Sequence, residues 1–223
     1  MIGRPVLDPR TGLPTTGARA LLFIANCGTV CYQKHSMMSH MTTRIAPANA
    51  PFSSAVQSWL EKIMPAGVPP LVLFTTLARD ERLFTKFFSG GLLDRGHLTL
   101  RQREIVIDRT TALCRSEYEW GVHVAAFGSK AGWTEEQIQS TVHGLPEDTC
   151  WTGEERSVLR LADHLHATSG VGEELWQEAS SSFAPEQLIE LVMLAGLYHA
   201  VSFMVNALGV QHEESAPRFP HVA

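Results

Sequence analysis

A chain of 223 residues, 44% hydrophobic and 18% charged, has the length and composition of one globular domain with a sizeable core, which excludes a disordered polymer. Its net charge of −5, from 23 acidic and 18 basic residues, and the lack of any basic run argue against nucleic acid as a partner. Four cysteines, Cys27, Cys31, Cys114 and Cys150, form neither a C-x-x-C pair nor a disulfide framework, so a reduced, cytoplasmic protein is expected.

Met1 to His40 differs from the remainder. The turn-rich GRPVLDPRTGLPTTG leads to one short apolar run, Ala20 to Val30, and then to QKHSMMSHM. That run has a long, weakly charged leader and no clear small-x-small cleavage site, which argues against a signal peptide. Residues 1–40 are expected to be a flexible N-terminal extension, and residues 41–223 a single helical domain. No segment reads as long enough to span a membrane.

From Ser53 the pattern turns helical. Ser53 or Ser54 caps a helix carrying Val56, Trp59, Leu60 and Ile63 on one face, and Pro65 to Pro70 ends it. Short helices follow over about 71–78 and 80–88, and Gly90-Gly91 breaks the chain. Thr99 caps a long helix reaching about Cys114; a neighbouring helix, Glu117 to Lys130, ends at Gly132. Thr134 with Gln137 and Thr152 with Glu155 read as capping boxes, the second opening a helix to about Ala167. Another helix spans Glu173 to Ser181, and Pro185 starts the last apolar stretch, Leu188 to Leu208. No alternating strand appears, so the fold class is all-α. A short echo, Glu104-Ile-Val-Ile against Glu190-Leu-Val-Met, suggests a duplicated helical hairpin, although Gly209 stands where the first copy has His123.

The chemistry concentrates in Arg103 to Phe127. Helical spacing roughly aligns Glu104, Ile107, Thr111 and Cys114, and makes Glu119 and His123 neighbours. If the two helices pack as a hairpin, Glu104 approaches the Tyr118–His123 turn, joining an acid, a phenol and an imidazole as a proton-transfer set. A blander reading stands beside it. A Glu–His pair four apart is often only a surface contact. Glu104 and Asp108 would then be a solvated face, Tyr118 and Trp120 core residues with a polar handle, and Cys114 a small core residue.

The run REIVIDRTTALCRSEYEWGVHVAAFGSKAG, above all Glu104 and Glu117-Tyr-Glu-Trp-Gly-Val-His123, resembles the carboxymuconolactone decarboxylase family, which includes the alkylhydroperoxidase D-like proteins. The similarity runs from about Leu71 through Val142, and the later helices look like the rest of a longer member. The resemblance implies an all-α, alkylhydroperoxidase D-like helical bundle, assembly as a homo-oligomer (trimer or hexamer) and a site at the motif. In the peroxidase branch a Glu precedes C-x-x-C and a His; those cysteine positions fall here on Ser116 and Glu119, so the acid and the His remain while both redox thiols are absent. A two-thiol cycle within this stretch is therefore excluded. The decarboxylase branch, whose members can lack the pair, is the better match. It implies a small-molecule substrate and acid/base catalysis with no cofactor and no metal ligand set. In that scheme His123 transfers the proton, Glu104 orients or tunes it, and Tyr118 and Glu119 donate or relay. Arg109 and Trp120 are expected to line the substrate site, Arg109 by binding a carboxylate, with a structural ion pair to Glu104 or Asp108 as its other reading. Two readings of other classes stay open: a peroxide reductase using Cys114 with an outside partner or Cys150, and a non-catalytic ligand-binding oligomer.

Overall fold

A computed structural model describes residues 43–92 and 94–221, all within the compact unit Met41–Ala223. The expected N-terminal extension, with Cys27 and Cys31, lies outside the described residues. Among those described, the chain forms helices and no strand, in the order α1 (Ser54–Ile63), α2 (Val72–Leu77), α3 (Glu81–Gly90), α4 (Leu100–Leu113), α5 (Glu117–Ala131), α6 (Glu135–His143), α7 (Gly153–Thr168), α8 (Glu173–Ser182) and α9 (Pro185–Leu208).

Local chemistry sets these boundaries. Ser53 and Asp80 cap α1 and α3 through their side chains, and complete capping boxes open α4, α6 and α7 at Thr99, Thr134 and Thr152. The α4 and α5 segments are separate helices. Cys114 ends α4, Arg115 turns the chain back with φ +54°, and Ser116 opens α5. Gly132 closes α5 in the left-handed region, the conformation glycine adopts at least cost.

α4 is the hub and packs against α5, α6, α7 and α9. Its residues Glu104 to Thr111 are buried in unbroken succession, so this helix has no solvent face over two turns. Ile105, Val106 and Ile107 join the largest core with Val158, Leu159 and Leu161 of α7 and Leu191 and Leu194 of α9. Every charged group on that part of α4 is therefore drawn inside and needs a partner or a proton. Tyr118 and Leu73 join Val201 and Val205 in a second core, and α1 and α3 close a third around Phe84 and Phe88.

Two expectations change at α9. The echo of Glu104 at Glu190 does not open a second hairpin, because α9 runs unbroken for 24 residues to Gly209. Glu190 instead pairs with Arg103 at 2.9 Å and accepts the His97 N–H at 2.6 Å. By length and composition alone, α9 is also sufficient to cross a membrane, contrary to the expectation that no segment is. Half of that apolar window is buried inside the protein, as in a core helix of a bundle.

Candidate active site in the α4–α5 hairpin

The hairpin places Glu104, just over one turn into α4, against His123 in the middle of α5. The His123 Nδ1–H donates to Glu104 Oε2 at 2.8 Å, with both side chains buried. On the other side of the ring, Nε2 lies 3.6 Å from Glu119 Oε1, an ion-pair separation one helical turn away. The imidazole is thus held between two carboxylates, its Nδ1 committed to Glu104 and its Nε2 turned toward Glu119. Phe127 flanks the ring at 5.4 Å between centroids, and Tyr198 of α9 meets it edge-on at 5.0 Å.

Asp108, one turn beyond Glu104, completes the group. Its carboxyl is wholly buried, and neither oxygen has a hydrogen-bond partner among the described residues. Glu104, Asp108 and His123 each present a polar atom within 4.8 Å of the others. Burial, reinforced by the negative charge of Glu104, holds the Asp108 carboxyl well above the usual carboxylate range; His123 and the neighbouring Trp133 indole offset this only in part. Burial thus favours the protonated form of Asp108.

His123 is pushed the other way by competing causes. Burial alone would strip its proton, but the surrounding negative groups win and raise its pKa well above 6.5. A Tyr198 phenolate would contribute most to this. However, burial raises that phenol to about 12, so it is neutral near pH 7 and leaves the effect to Glu104 and Glu119. The cluster therefore holds an imidazole whose protonated form is favoured, between Glu104 and Glu119 and beside an Asp108 whose protonated form is favoured by burial.

Three further expected site residues are placed elsewhere. The Tyr118 hydroxyl accepts from the Leu73 N–H at 3.0 Å and donates to Glu213 Oε1 at 2.6 Å, on the side of α5 facing α2 and the C-terminal tail. Trp120 is core: its indole N–H donates to Thr141 Oγ1 at 3.1 Å and its ring meets Phe219. Arg109 pairs in a fork with Asp163 (2.6 and 2.9 Å) and donates to the carbonyls of Ser140, Thr141 and Gly144. It is a structural clamp between α4, the end of α6 and α7, with neither Glu104 nor Asp108 as its partner. Ser116, at the first lost thiol position, is buried at the N-cap of α5, and its hydroxyl has no hydrogen-bond partner among the described residues. Cys114 and Cys150 are both free thiols. Burial pushes the Cys114 thiol up, which the nearby Ser202 hydroxyl offsets in part, so it is no activated thiolate. A surface hollow lined by Phe52, Leu60, Met64 and Pro70 lies beside α1 and shares no residue with the cluster.

Sequence reasoning therefore missed Asp108 and Tyr198 as members of the cluster. For Asp108 a signal existed: it follows Ile105-Val-Ile in a helix whose apolar positions circle the axis, which predicts burial rather than a solvated face. Tyr198 carried none, because its approach depends on how α9 crosses α5.

The carboxymuconolactone decarboxylase family model matches residues 81–164, a span that holds Glu104, Asp108, Glu119 and His123. No curated protein matches the sequence. Solved structures do. An uncharacterized peroxidase-related protein from Silicibacter sp. TM1040 superposes with TM-score 0.64 at 17% identity, covering 76% of this chain and 90% of that one. An uncharacterized peroxidase-related protein from Ralstonia eutropha JMP134, with an alkylhydroperoxidase AhpD core, gives 0.62 at 20% identity, covering 76% and 93%. The debrominase Bmp8, in complex with 2,3,4-tribromopyrrole, gives 0.60 at 15% identity, covering 78% and 94%. At such identities the likeness establishes the all-α, alkylhydroperoxidase D-like fold.

Proposed function

We infer that this chain, which over residues 81–164 belongs to the carboxymuconolactone decarboxylase family, is an enzyme that moves protons on a small organic acid or lactone through His123. The observation that carries the reading is the buried 2.8 Å hydrogen bond from His123 Nδ1 to Glu104 Oε2, which fixes the ring and leaves Nε2 as the deliverable proton. For a decarboxylation, the C–C bond to the carboxylate breaks, carbon dioxide leaves and the electron pair stays on the substrate as an enolate. The His123 Nε2 proton then passes to that carbon, and water restores it. Glu104 stabilises the imidazolium before transfer, and Glu119, at 3.6 Å, orients the Nε2 side. Arg109 has no part in holding substrate, since its donors are engaged with Asp163 and three carbonyls. The same proton delivery serves a lyase or an isomerase, so the reaction type is read from the products.

The test is turnover of a panel of lactone acids by the wild-type chain, His123→Ala and Cys114→Ser. The expected result is turnover that His123→Ala abolishes and Cys114→Ser leaves intact. Turnover equal in His123→Ala and wild type, or no turnover across the panel, defeats the reading. Peroxide reduction that needs a dithiol and vanishes in Cys114→Ser would instead favour the peroxidase alternative.

A further inference from the structure

At the far end of α4 a second group of side chains converges, ten residues and about 15 Å along the helix from Glu104. Cys114, the C-cap of α4, lies 3.8 Å by its Sγ from His166 Nδ1 on α7. His166 Nδ1 lies 3.0 Å from His199 Nε2 on α9. One atom from each of the three falls within 4.8 Å of the others. We propose that Cys114, His166 and His199 form a binding site for a divalent metal ion of the zinc class, with a fourth coordination position open to solvent.

Six features carry this. The three ligand atoms come from three different elements, so tertiary packing brings them together and helical spacing does not. Their separations suit one ion: a tetrahedral zinc with Zn–S about 2.3 Å and Zn–N about 2.0–2.1 Å sets S···N near 3.6 Å and N···N near 3.4 Å. His199 is already oriented for the task. Its Nδ1–H donates to the Ala195 carbonyl at 2.8 Å, which fixes the tautomer and aims the Nε2 lone pair at the group, as backbone carbonyls do behind metal-bound histidines. Cys114 is anchored as well, because Asn206 Nδ2 donates to its carbonyl at 3.0 Å just before the chain reverses at Arg115. One thiolate and two imidazoles match zinc better than the hard cations, which take oxygen ligands. Cys114 and His199 are partly exposed and His166 is exposed, so an ion reaches the site and water completes its shell. On binding, the metal replaces the thiol proton, which passes to solvent, and the proton on His166 Nδ1 moves to its Nε2, so that both imidazoles bind as neutral ligands.

The site is independent of the His123 reaction, and its test does not depend on any substrate. The full-length chain, stripped with a chelator, is titrated with Zn2+ by calorimetry and with Co2+ by absorption. The expected result is an ion bound with a thiolate-to-cobalt charge-transfer band and the intense visible bands of a tetrahedral site. Cys114→Ser should remove the charge-transfer band, and His199→Ala should weaken binding at least tenfold, while Cys150→Ser and a Cys27→Ser/Cys31→Ser double variant leave both signals unchanged. Zinc should raise the melting temperature of the wild type but not of His166→Ala. Folding of each variant is checked by circular dichroism, and Cys114→Asp offers a second replacement that should bind Zn2+ without the sulfur band. Absence of binding, a charge-transfer band that survives Cys114→Ser, or a band lost only with Cys27 and Cys31 would overturn the proposal.

Discussion

At His123 the balance of forces predicts a pH profile. The group is held protonated well above its ordinary 6.5 by acidic neighbours that overcome burial, the state that the proposed proton donor needs. Turnover should therefore be flat near neutral pH and fall as pH rises through the raised value. Glu104→Gln keeps the hydrogen bond but removes the charge, so the alkaline fall should move to lower pH by about one unit or more. A pH–rate profile of the two proteins checks this, and an unshifted limb would remove Glu104 from its tuning role. Asp108 gives a stability prediction of the same kind. Its folded pKa lies above its unfolded 3.8, so the protonated form's advantage is fully present below about pH 4 and is lost as pH rises through the folded value. Asp108→Asn supplies a neutral side chain of the same shape at every pH. It should gain stability over wild type as pH increases, which urea unfolding at pH 5, 7 and 9 measures. A large loss at all three would mean that the native carboxyl is charged and partnered.

Between elements, two polar residues act as fasteners. Arg109 ties α4 to α7 through Asp163 and to the end of α6 through carbonyls. Removing it takes a donor from Asp163 and from the Ser140, Thr141 and Gly144 carbonyls, of which Ser140 keeps the Gly144 N–H. Arg109→Ala should cost about 3 kcal/mol, toward the low end for a broken buried pair because Asp163 is partly exposed. That corresponds to a melting temperature lower by roughly 6–12 °C. Tyr118 fastens α5 to the start of α2 and to the tail, where Glu213 also accepts the Val72 N–H at 2.6 Å. The tail lies so close that a Cβ on Gly121 would collide with the Pro217 carbonyl. Tyr118→Phe should cost about 1–3 kcal/mol with no effect on the proton-transfer rate, since its hydroxyl faces away from His123. A rate loss as large as that of His123→Ala would restore the catalytic role first expected of it. These cases show what the sequence makes legible. Helix starts at Thr99, Thr134 and Thr152 were readable because capping is local, and the Glu104–His123 pairing was readable because one hairpin holds both. The destinations of Arg109, Tyr118 and Tyr198 were not, because each is decided by a partner 50 or more residues away or by a side of a helix that only packing selects. The bare run around Asp108 marks the boundary between the two: its burial could be inferred, but not its missing partner.

At the scale of the whole molecule, an exposed apolar surface among the described residues lies along α9. Its inner side packs into two cores, yet Ile189, Met193 and Phe203 are 60%, 53% and 66% exposed, with Val192 between the first two. Positions 189, 193, 196 and 203 recur at helical spacing, so these side chains share one stripe rather than being scattered. Gly196 lies within the stripe with open space above it, where a second helix can approach closely. A stripe of this kind on a helix whose other side is core calls for a partner surface. A homo-oligomer closed by α9 against α9, or against another helix of the same chain, answers that need. A single chain weighs 24.6 kDa, so light scattering separates a monomer from any closed assembly directly. The wild type should scatter as a multiple of that mass, and the double variant Met193→Asp/Phe203→Asp should fall to one chain, because two carboxylates placed at the centre of an apolar contact cannot be desolvated without partners. The variant's own fold should persist, since neither residue belongs to the core, and its melting curve checks that. A wild type that scatters as one chain would assign the stripe to another partner, with a lipid surface testable by co-sedimentation with vesicles. Retention of the assembled mass by the variant would move the interface to another face of the bundle.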